Sequence, residues 1–583
     1  MALIRFTFFL SILFLNLKAF AQFNEHMHLQ NKSATYEESM DYYQGLSEKY
    51  SSTKFIDAGI SSNGSLIGLF VIDAHKEFSA AKSKSRGKIV LLINNGIHPG
   101  EPDGIDASMI FTKELLTQKK YAHLLEHITF CIVPVFNVDG SVNRSCCSRV
   151  NQNGPEEYGF RANDQYLDLN RDFIKMDSEN AKTFVSIFQQ WNPDVFIDTH
   201  VSNGADYTYN MTLITSQSDK MAPELSPLLR NKLEPFVYVW MKSKNDPIVP
   251  YINTEKWSYP PDSGLYAFIE TPRYATGYTA LYHSVGFVTE AHMLKPFPQR
   301  VESTLNIIQA ISEMCVQYRT EILTNREQSF ELYKMTNWIP IAWKVDVTRS
   351  TPIDFAGYTA SYKPSTISGK DRLYYDRSKP YNKKIKYFPY CTAIDSVSKP
   401  IFYIIPQAWR SIIDRLKYNQ VPMFRLSNDS SMVVEVYHIK DFKTTENPFE
   451  GHYLHYNTIT TSSNQRILFR KGDYIIPMGQ NHDRFVCEVL EPRATDSYFN
   501  WGFFDAILQQ KEWYSDYVFE DIAAELLEQN PELKKSFTIK LENDSSFKSN
   551  PFMRLYYVYQ NSPYFEKGFK RYPVYRFMGL LDE

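Results

Sequence analysis

Residues 22–330 predict an α/β fold, a central sheet with helices packed over it, on three observations. Short apolar runs suited to buried strands recur along this stretch. Segments with helical period lie between them, and strands alternating with helices build a sheet with helical cover. Two of the runs end on chemistry-bearing polar residues, which is where the strands of open α/β sheets present side chains to ligands.

The elements follow in order. Residues 89–93 (Ile-Val-Leu-Leu-Ile) form a strand, and 106–116 continue as a helix. Residues 128–135 form a second buried strand, and 179–190 read as a helix. Residues 194–198 form a strand closed by Thr199-His200, and 286–290 form another short strand. Residues 299–324 carry Val301, Leu305, Ile308 and Ile311 near one face, as a long amphipathic helix does. After residue 330 the texture changes to short β-type runs at 402–406, 432–439, 467–469, 474–476 and 485–490, with a helical pattern at 513–527. Lys471-Gly472-Asp473 has the composition of a hairpin turn between two of these runs. A chain of 583 residues is long enough for more than one domain. The expected division is a signal segment at 1–21, a catalytic domain at 22–330, and a β-rich accessory region with some helices at 331–583.

Arg5, the apolar run 6–17 and Ala19-Phe20-Ala21 before Gln22 have the order of a secretory signal. Export to the periplasm or the extracellular space is therefore expected. No later run approaches the roughly 20 apolar residues of a membrane helix, so no stable span is expected after cleavage. A formal net charge of −3 and the lack of a long basic run argue against nucleic acid as a partner. A hydrophobic content of 43% is that of a globular chain, and the 15% of aromatic residues suits packing in β-rich structure. Six cysteines in so long a chain make no disulfide scaffold. Cys131 belongs to a core strand, adjacent Cys146 and Cys147 could each pair elsewhere, and no C-x-x-C spacing offers a cysteine zinc site.

Asn94-Asn95-Gly96-Ile97-His98-Pro99-Gly100-Glu101-Pro102 follows the first buried run directly. An imidazole and a carboxylate on one loop supply two of the three protein ligands that a catalytic zinc ion takes, the fourth position being left for water. His200, at the end of its strand, is the candidate third ligand. Between them, Asn170 and Arg171 suit a substrate carboxylate, which a guanidinium grips in bidentate fashion. Asp168 suits an acceptor that orients a ligand imidazole through its other nitrogen. Arg161 is a further cation.

With these residues in place, the chain resembles the carboxypeptidase A-like zinc metallocarboxypeptidases, the funnelins. The matching pieces are His98-Pro99-Gly100-Glu101, Asn137-Val138-Asp139-Gly140, Phe160-Arg161, Asp168-Leu169-Asn170-Arg171-Asp172-Phe173, Asp198-Thr199-His200 and Val288-Thr289-Glu290. Each is short, but the ordered set is specific, and it covers residues 40–320. The resemblance implies a mixed central sheet flanked by helices and one Zn2+ per chain, bound by His98, Glu101 and His200. It implies Asn170 and Arg171 on the C-terminal carboxylate of a peptide, Arg161 on the oxyanion of the tetrahedral intermediate, and Glu290 as general base and acid. It also implies a tyrosine capping the substrate shortly before Glu290. Tyr274 is the candidate taken, with Tyr278 and Tyr282 as alternatives. The segment from Tyr274 to Glu290 is shorter than the family's, which leaves undefined the side-chain pocket that this segment normally builds.

The expected function is zinc-dependent release of C-terminal residues from peptides bearing a free carboxylate. Two alternatives stand beside it. One is an amide hydrolase, a deacylase or peptidoglycan stem-peptide hydrolase, on the same scaffold. The other is a secreted binding protein, suggested by roughly 250 C-terminal residues without a catalytic signature.

Overall fold

Among the described residues, nine strands form between residues 53 and 292: β1 (Thr53–Ile60), β2 (Leu66–Ile72), β3 (Ile89–Asn94), β4 (Ile128–Val133), β5 (Val195–Ser202), β6 (Met211–Thr215), β7 (Val249–Pro250), β8 (Leu265–Tyr266) and β9 (Val285–His292). In this computed structural model residues 25–256 and 260–579 are described; the expected signal segment lies outside them. All but β8 join one sheet in the order β1-β2-β4-β3-β5-β9-β6-β7. Its centre is parallel (β4-β3-β5-β9), whereas β1-β2, β2-β4 and β9-β6 are antiparallel. The sheet is thus mixed and flanked by helices.

Period-2 alternation divides the strands between two layers. Ile89, Leu91 and Ile93 of β3 pack with Ile110 and Phe111 and with Ile307, Ile308 and Ile311, from the helices Asp103–Thr117 and Phe297–Gln317. Val90 and Leu92 point to the other face, against Phe184, Phe188 and Trp191 of the helix Glu179–Trp191. Every residue of β3 is buried, which explains its unbroken apolar run. The helix expected at 299–324 is two helices, Phe297–Gln317 and Arg319–Met335. The chain leaves helical geometry at Tyr318 (φ −112°, ψ 20°), and the second helix turns Arg326 inward onto Asp194 (2.7 Å).

Ten further strands follow: β10 (Trp338–Val345), β11 (Thr351–Pro364), β12 (Asp371–Phe388), β13 (Cys391–Ser398), β14 (Phe402–Ile405), β15 (Phe424–Arg425), β16 (Ser430–Thr444), β17 (His455–Phe469), β18 (Tyr474–Pro477) and β19 (Tyr575–Phe577). They form a β10-β13 pair, a β11-β12-β8 sheet and a six-stranded sheet, β15-β18-β14-β19-β16-β17. Two local readings are corrected. Residues 485–490 are not a strand but part of the helix Asp483–Leu490, whose residues are all buried. A buried apolar run of that length has no period to tell helix from strand. The chain does turn at Lys471-Gly472-Asp473, with Gly472 at φ +98°, but β17 pairs with β16 and β18 with β14 and β15, so no hairpin forms there.

The C-terminal sheets do not stand apart. One apolar cluster contains Val90, Phe184, Phe196 and Tyr278 together with Ile339, Tyr403, Phe485 and Trp501. Strand β8, from the first half of the chain, pairs with β12. Across the same seam Arg273 binds Asp496, and both Arg415 and His452 bind Asp177. No helix of the described residues is long and apolar enough to cross a membrane.

Candidate metal centre

The loop after β3 carries His98 and Glu101 on a turn closed by the Glu101 amide donating to the His98 carbonyl (2.8 Å). Asn137 caps the helix Val138–Val142, and its amide nitrogen reaches the carbonyls of Ile97 (3.3 Å) and Arg161 (3.0 Å). It thereby ties the His98 loop to the Arg161 loop. His200 lies within β5 rather than after it, and in the parallel β5-β9 register it is directly opposite Glu290. The helix Asp103–Thr117 packs close behind: a Cβ on Gly104 would come within 1.9 Å of Thr199 Oγ1, so only glycine permits this approach.

His98, Glu101 and His200 converge and are all buried, with one possible ligand atom from each within 4.8 Å of the others. His98 Nδ1 is 3.3 Å from Glu101 Oε1, and His200 Nδ1 is 3.2 Å from Glu101 Oε2. Metal bonds of about 2.0–2.1 Å meeting at a tetrahedral angle separate their donor atoms by about 3.3 Å. The residues present therefore fit a zinc ion. His98 Nδ1 is buried with no hydrogen-bond partner in the chain, as a nitrogen reserved for a metal would be. The other ring nitrogens are held by carboxylates, His98 Nε2 by Asp168 (2.8 Å) and His200 Nε2 by Asp198 (3.1 Å). With a metal on each Nδ1, this pairing would place the ring protons on Nε2, where the carboxylates accept them.

Burial alone would push the Glu101 carboxyl up, but Arg149, His98 and His200 together hold it well below the usual carboxylate range. Burial opposes charge on His200, yet Asp198 and Glu101 outweigh it and raise its pKa well above the ordinary value. Asp168 is depressed despite its burial, chiefly by His98 and Arg161. The Glu290 carboxyl is pushed up to about 8 by burial, with Glu101 and Glu270 adding to the push and His200 and Arg149 opposing it.

A cavity of 420 Å³ opens over these residues, and its lining includes Arg161, Asn170, Arg171, Tyr274 and Glu290. Arg161 donates Nε and Nη2 to Asp168 Oδ2 (3.0 and 2.8 Å), leaving Nη1 toward Glu101 (3.4 Å). Asn170 Oδ1 is buried without a partner, and the Arg171 guanidinium lies 4.3 Å from the centre of the Tyr274 ring. Tyr278 and Tyr282 both donate to Asn419 Oδ1 (2.7 Å each) deep in the core, so of the three tyrosines Tyr274 is the one lining the cavity. A second cavity of 460 Å³ shares Ile214, Tyr251 and Phe268 with the first. Its far wall is formed by Thr351, Ile353, Tyr387 and Tyr390 of the C-terminal region, and it draws nothing from the segment between Tyr274 and Glu290.

Sequence reasoning missed four residues here. Asp198 was visible in principle, because position i−2 in a strand shares the face of His200. Glu270 lines the cavity and accepts from the Thr276 amide (2.9 Å) and hydroxyl. Glu450, from the C-terminal half, accepts from the Asp168 amide (2.7 Å). Arg149 reaches Glu101 Oε1 at 2.6 Å from a loop with no periodic signal. Cys146 and Cys147, each of which could have paired elsewhere, are bonded to each other in that loop.

Residues 39–256 match the sequence profile of the zinc carboxypeptidase family. Carboxypeptidase 2 of Trichophyton tonsurans is 21% identical over 473 residues, 73% of this chain and 76% of that protein. Carboxypeptidase 2 of Trichophyton equinum is 22% identical over 470 residues, with the same coverage of 73% and 76%. Among solved structures, a putative carboxypeptidase A from Shewanella denitrificans aligns with a TM-score of 0.37 and 16% identity over 49% of this chain and 69% of its own. A metallo-carboxypeptidase from Pseudomonas aeruginosa in complex with (2-guanidinoethylmercapto)succinic acid aligns with a TM-score of 0.37 and 15% identity over 50% and 70%.

Proposed function

Since residues 39–256 belong to the zinc carboxypeptidase family and the chain is thus a zinc-dependent hydrolase of peptide bonds, we propose that it releases residues from the free C-terminus of peptides. The observation that carries this reading is one cavity holding a zinc-spaced His98-Glu101-His200 set, a register-matched carboxylate, and a partnerless Asn170 Oδ1 beside the Arg171 guanidinium. His98 and His200 would bind zinc through Nδ1, and Glu101 through its carboxylate. Zinc supplies Lewis acidity and brings the pKa of a bound water down to about 7.

The remaining roles fall to the chain's own side chains. Glu290 takes the proton of the attacking water and returns it to the leaving nitrogen, a contribution of about 10²–10⁴-fold in rate. Arg161, anchored by Asp168, offers Nη1 to the developing oxyanion; losing one such donor typically costs about 3–4 kcal/mol. Asn170 and Arg171 hold the terminal carboxylate, and Tyr274 covers it from the stacked position over Arg171. The accessory region, residues 331–583, braces the catalytic domain, residues 22–330, through Glu450 on Asp168. The N-terminal signal pattern supports export to the periplasm or beyond; mature protein beginning at Gln22 is the corresponding N-terminal sequencing result.

The test is a product-resolved digest of matched peptides with a free or amidated C-terminus, with and without chelator. Stepwise loss of terminal residues from the free acids alone, abolished by chelator and restored by zinc, is the expected result. Equal cleavage of the amides would reject the carboxypeptidase reading and favour another amide hydrolase.

A further inference from the structure

Arg149 lines the same cavity, and the partners of its guanidinium are Glu101, Val201 and Gln152. Its Nη1 donates to Glu101 Oε1 (2.6 Å), its Nη2 to the Val201 carbonyl (2.9 Å) and its Nε to Gln152 Oε1 (2.8 Å). The Val201 amide donates to the other oxygen of Glu101 (2.8 Å). Arg149 and Val201 thus grip both oxygens of one carboxylate. The stem of Arg149 passes directly over Gly100: a Cβ there would come within 2.8 Å of Arg149 Cδ. Gly100 is the space that Arg149 needs.

The loop behind Arg149 is built to hold it. The Tyr158 hydroxyl accepts from the Arg149 amide (3.1 Å) and donates to the Cys146 carbonyl (2.8 Å). Gln152 Nε2 donates to the Gly100 carbonyl (2.9 Å), which returns the loop to the ligand turn. Just before Arg149, the Cys146–Cys147 bond closes two neighbouring residues into a small ring. Such a closure removes backbone freedom that the open chain would otherwise lose on ordering. Both cysteines are exposed, while Cys131, Cys315, Cys391 and Cys487 are buried thiols. Among the described residues the ring is therefore the one disulfide open to a reductant.

We propose that Arg149 is a positioning residue for Glu101, and that the Cys146–Cys147 ring holds it in place, so that reducing the ring weakens zinc retention. This rests on the reading of His98, Glu101 and His200 as the zinc ligands. In reduction by a trialkylphosphine the S–S bond breaks and each sulfur gains a proton from water. The phosphorus takes the water oxygen and leaves as phosphine oxide, so two electrons pass from phosphorus to the two sulfurs. Arg149 then stands on an unconstrained loop, and Glu101 loses a donor that keeps its carboxylate aligned.

The experiment uses the full-length zinc-loaded protein and reads zinc affinity and chelator-driven zinc release, with circular dichroism confirming the fold. Arg149→Gln should weaken zinc binding about 10–100-fold, as loss of a partner that orients a metal ligand does elsewhere, and Arg149→Lys should recover part of the loss. Phosphine should speed zinc release from the unaltered protein. The Cys146→Ser/Cys147→Ser protein should release zinc at the reduced protein's rate and ignore phosphine. A folded Arg149→Gln protein with unchanged zinc affinity overturns the positioning role. A phosphine effect that survives in the double serine variant, or no phosphine effect at all, overturns the role of the ring. His200→Ala is the control: if it keeps full zinc, the ligand set itself is wrong and the proposal falls with it.

Discussion

On the proposed ligand set, Asp168 and Asp198 would decide which nitrogen of each histidine faces a metal, and they would do so from different places. Asp198 is two residues from its histidine on the same strand; Asp168 sits 70 residues from His98 and also anchors Arg161. Asp198→Ala should free the His200 ring to turn and to change tautomer. We expect roughly 10–100-fold weaker zinc binding by chelator competition, and an unchanged affinity would show that β5 alone orients the ring. Glu290→Gln keeps size and polarity but cannot take a proton. It should retain zinc and lose at least about 10²-fold in kcat; turnover within a few-fold of the parent enzyme would exclude Glu290 as the base. The pH profile follows from the same carboxyl. A base must be ionised, so activity falls as pH drops through its pKa. Burial, reinforced by Glu101 and Glu270 and opposed by His200 and Arg149, puts that value at about 8, and the nearby charge of a bound dication would move it down. The acid limb of kcat/KM is therefore expected below pH 8, and a kcat/KM that climbs as the pH is lowered through this range would contradict the assignment.

Helix-against-strand fit governs the site at the next scale. Thr199 bonds Asn95 Oδ1 (3.0 Å), and the helix starting at Asp103 comes close enough that Gly104 faces Thr199 directly. Gly104→Ala forces a methyl group into that contact. Overpacking of this kind typically costs about 1–3 kcal/mol, so the thermal midpoint should fall by several degrees; an unchanged midpoint would mean that the helix can shift freely. The elements that carry chemistry were legible because each is announced within a few residues. The run before Asn94 ends on the His98-Glu101 turn, and the run through Asp198 reaches His200. Elements whose identity depends on distant partners were not legible. Residues 485–490 are helical because of what buries them, and the turn at Gly472 separates strands that pair elsewhere. Arg149, on an irregular loop, meets Glu101 at a separation of 48 residues, and no local pattern marks such a meeting.

The two halves of the molecule fold onto one another. Ile339, Tyr403, Phe485 and Trp501 share an apolar cluster with the sheet that carries His200, and β8 hydrogen-bonds to β12. A chain ending at residue 330 would expose that cluster. It is expected to be insoluble or only partly folded, as judged by circular dichroism and size-exclusion chromatography; a stable, zinc-binding fragment would show that the accessory region is dispensable for folding. The cavity beside the site points the same way, since its far wall comes from residues 351–390. The C-terminal region thus both walls this cavity and bonds the Asp168 amide.

Glu450 has a thermodynamic consequence. Asp168 is fastened to His98 through its side chain and to Glu450 through its backbone amide, so the proposed metal centre and the C-terminal half meet at one residue. A ligand that binds only the folded chain raises its stability by RT ln(1 + [L]/Kd), about 4 kcal/mol at a thousandfold excess over Kd. Linkage makes that gain common to everything that unfolds together. Free zinc concentration would then set how long the whole chain survives proteolysis, including sheets that never approach the ion.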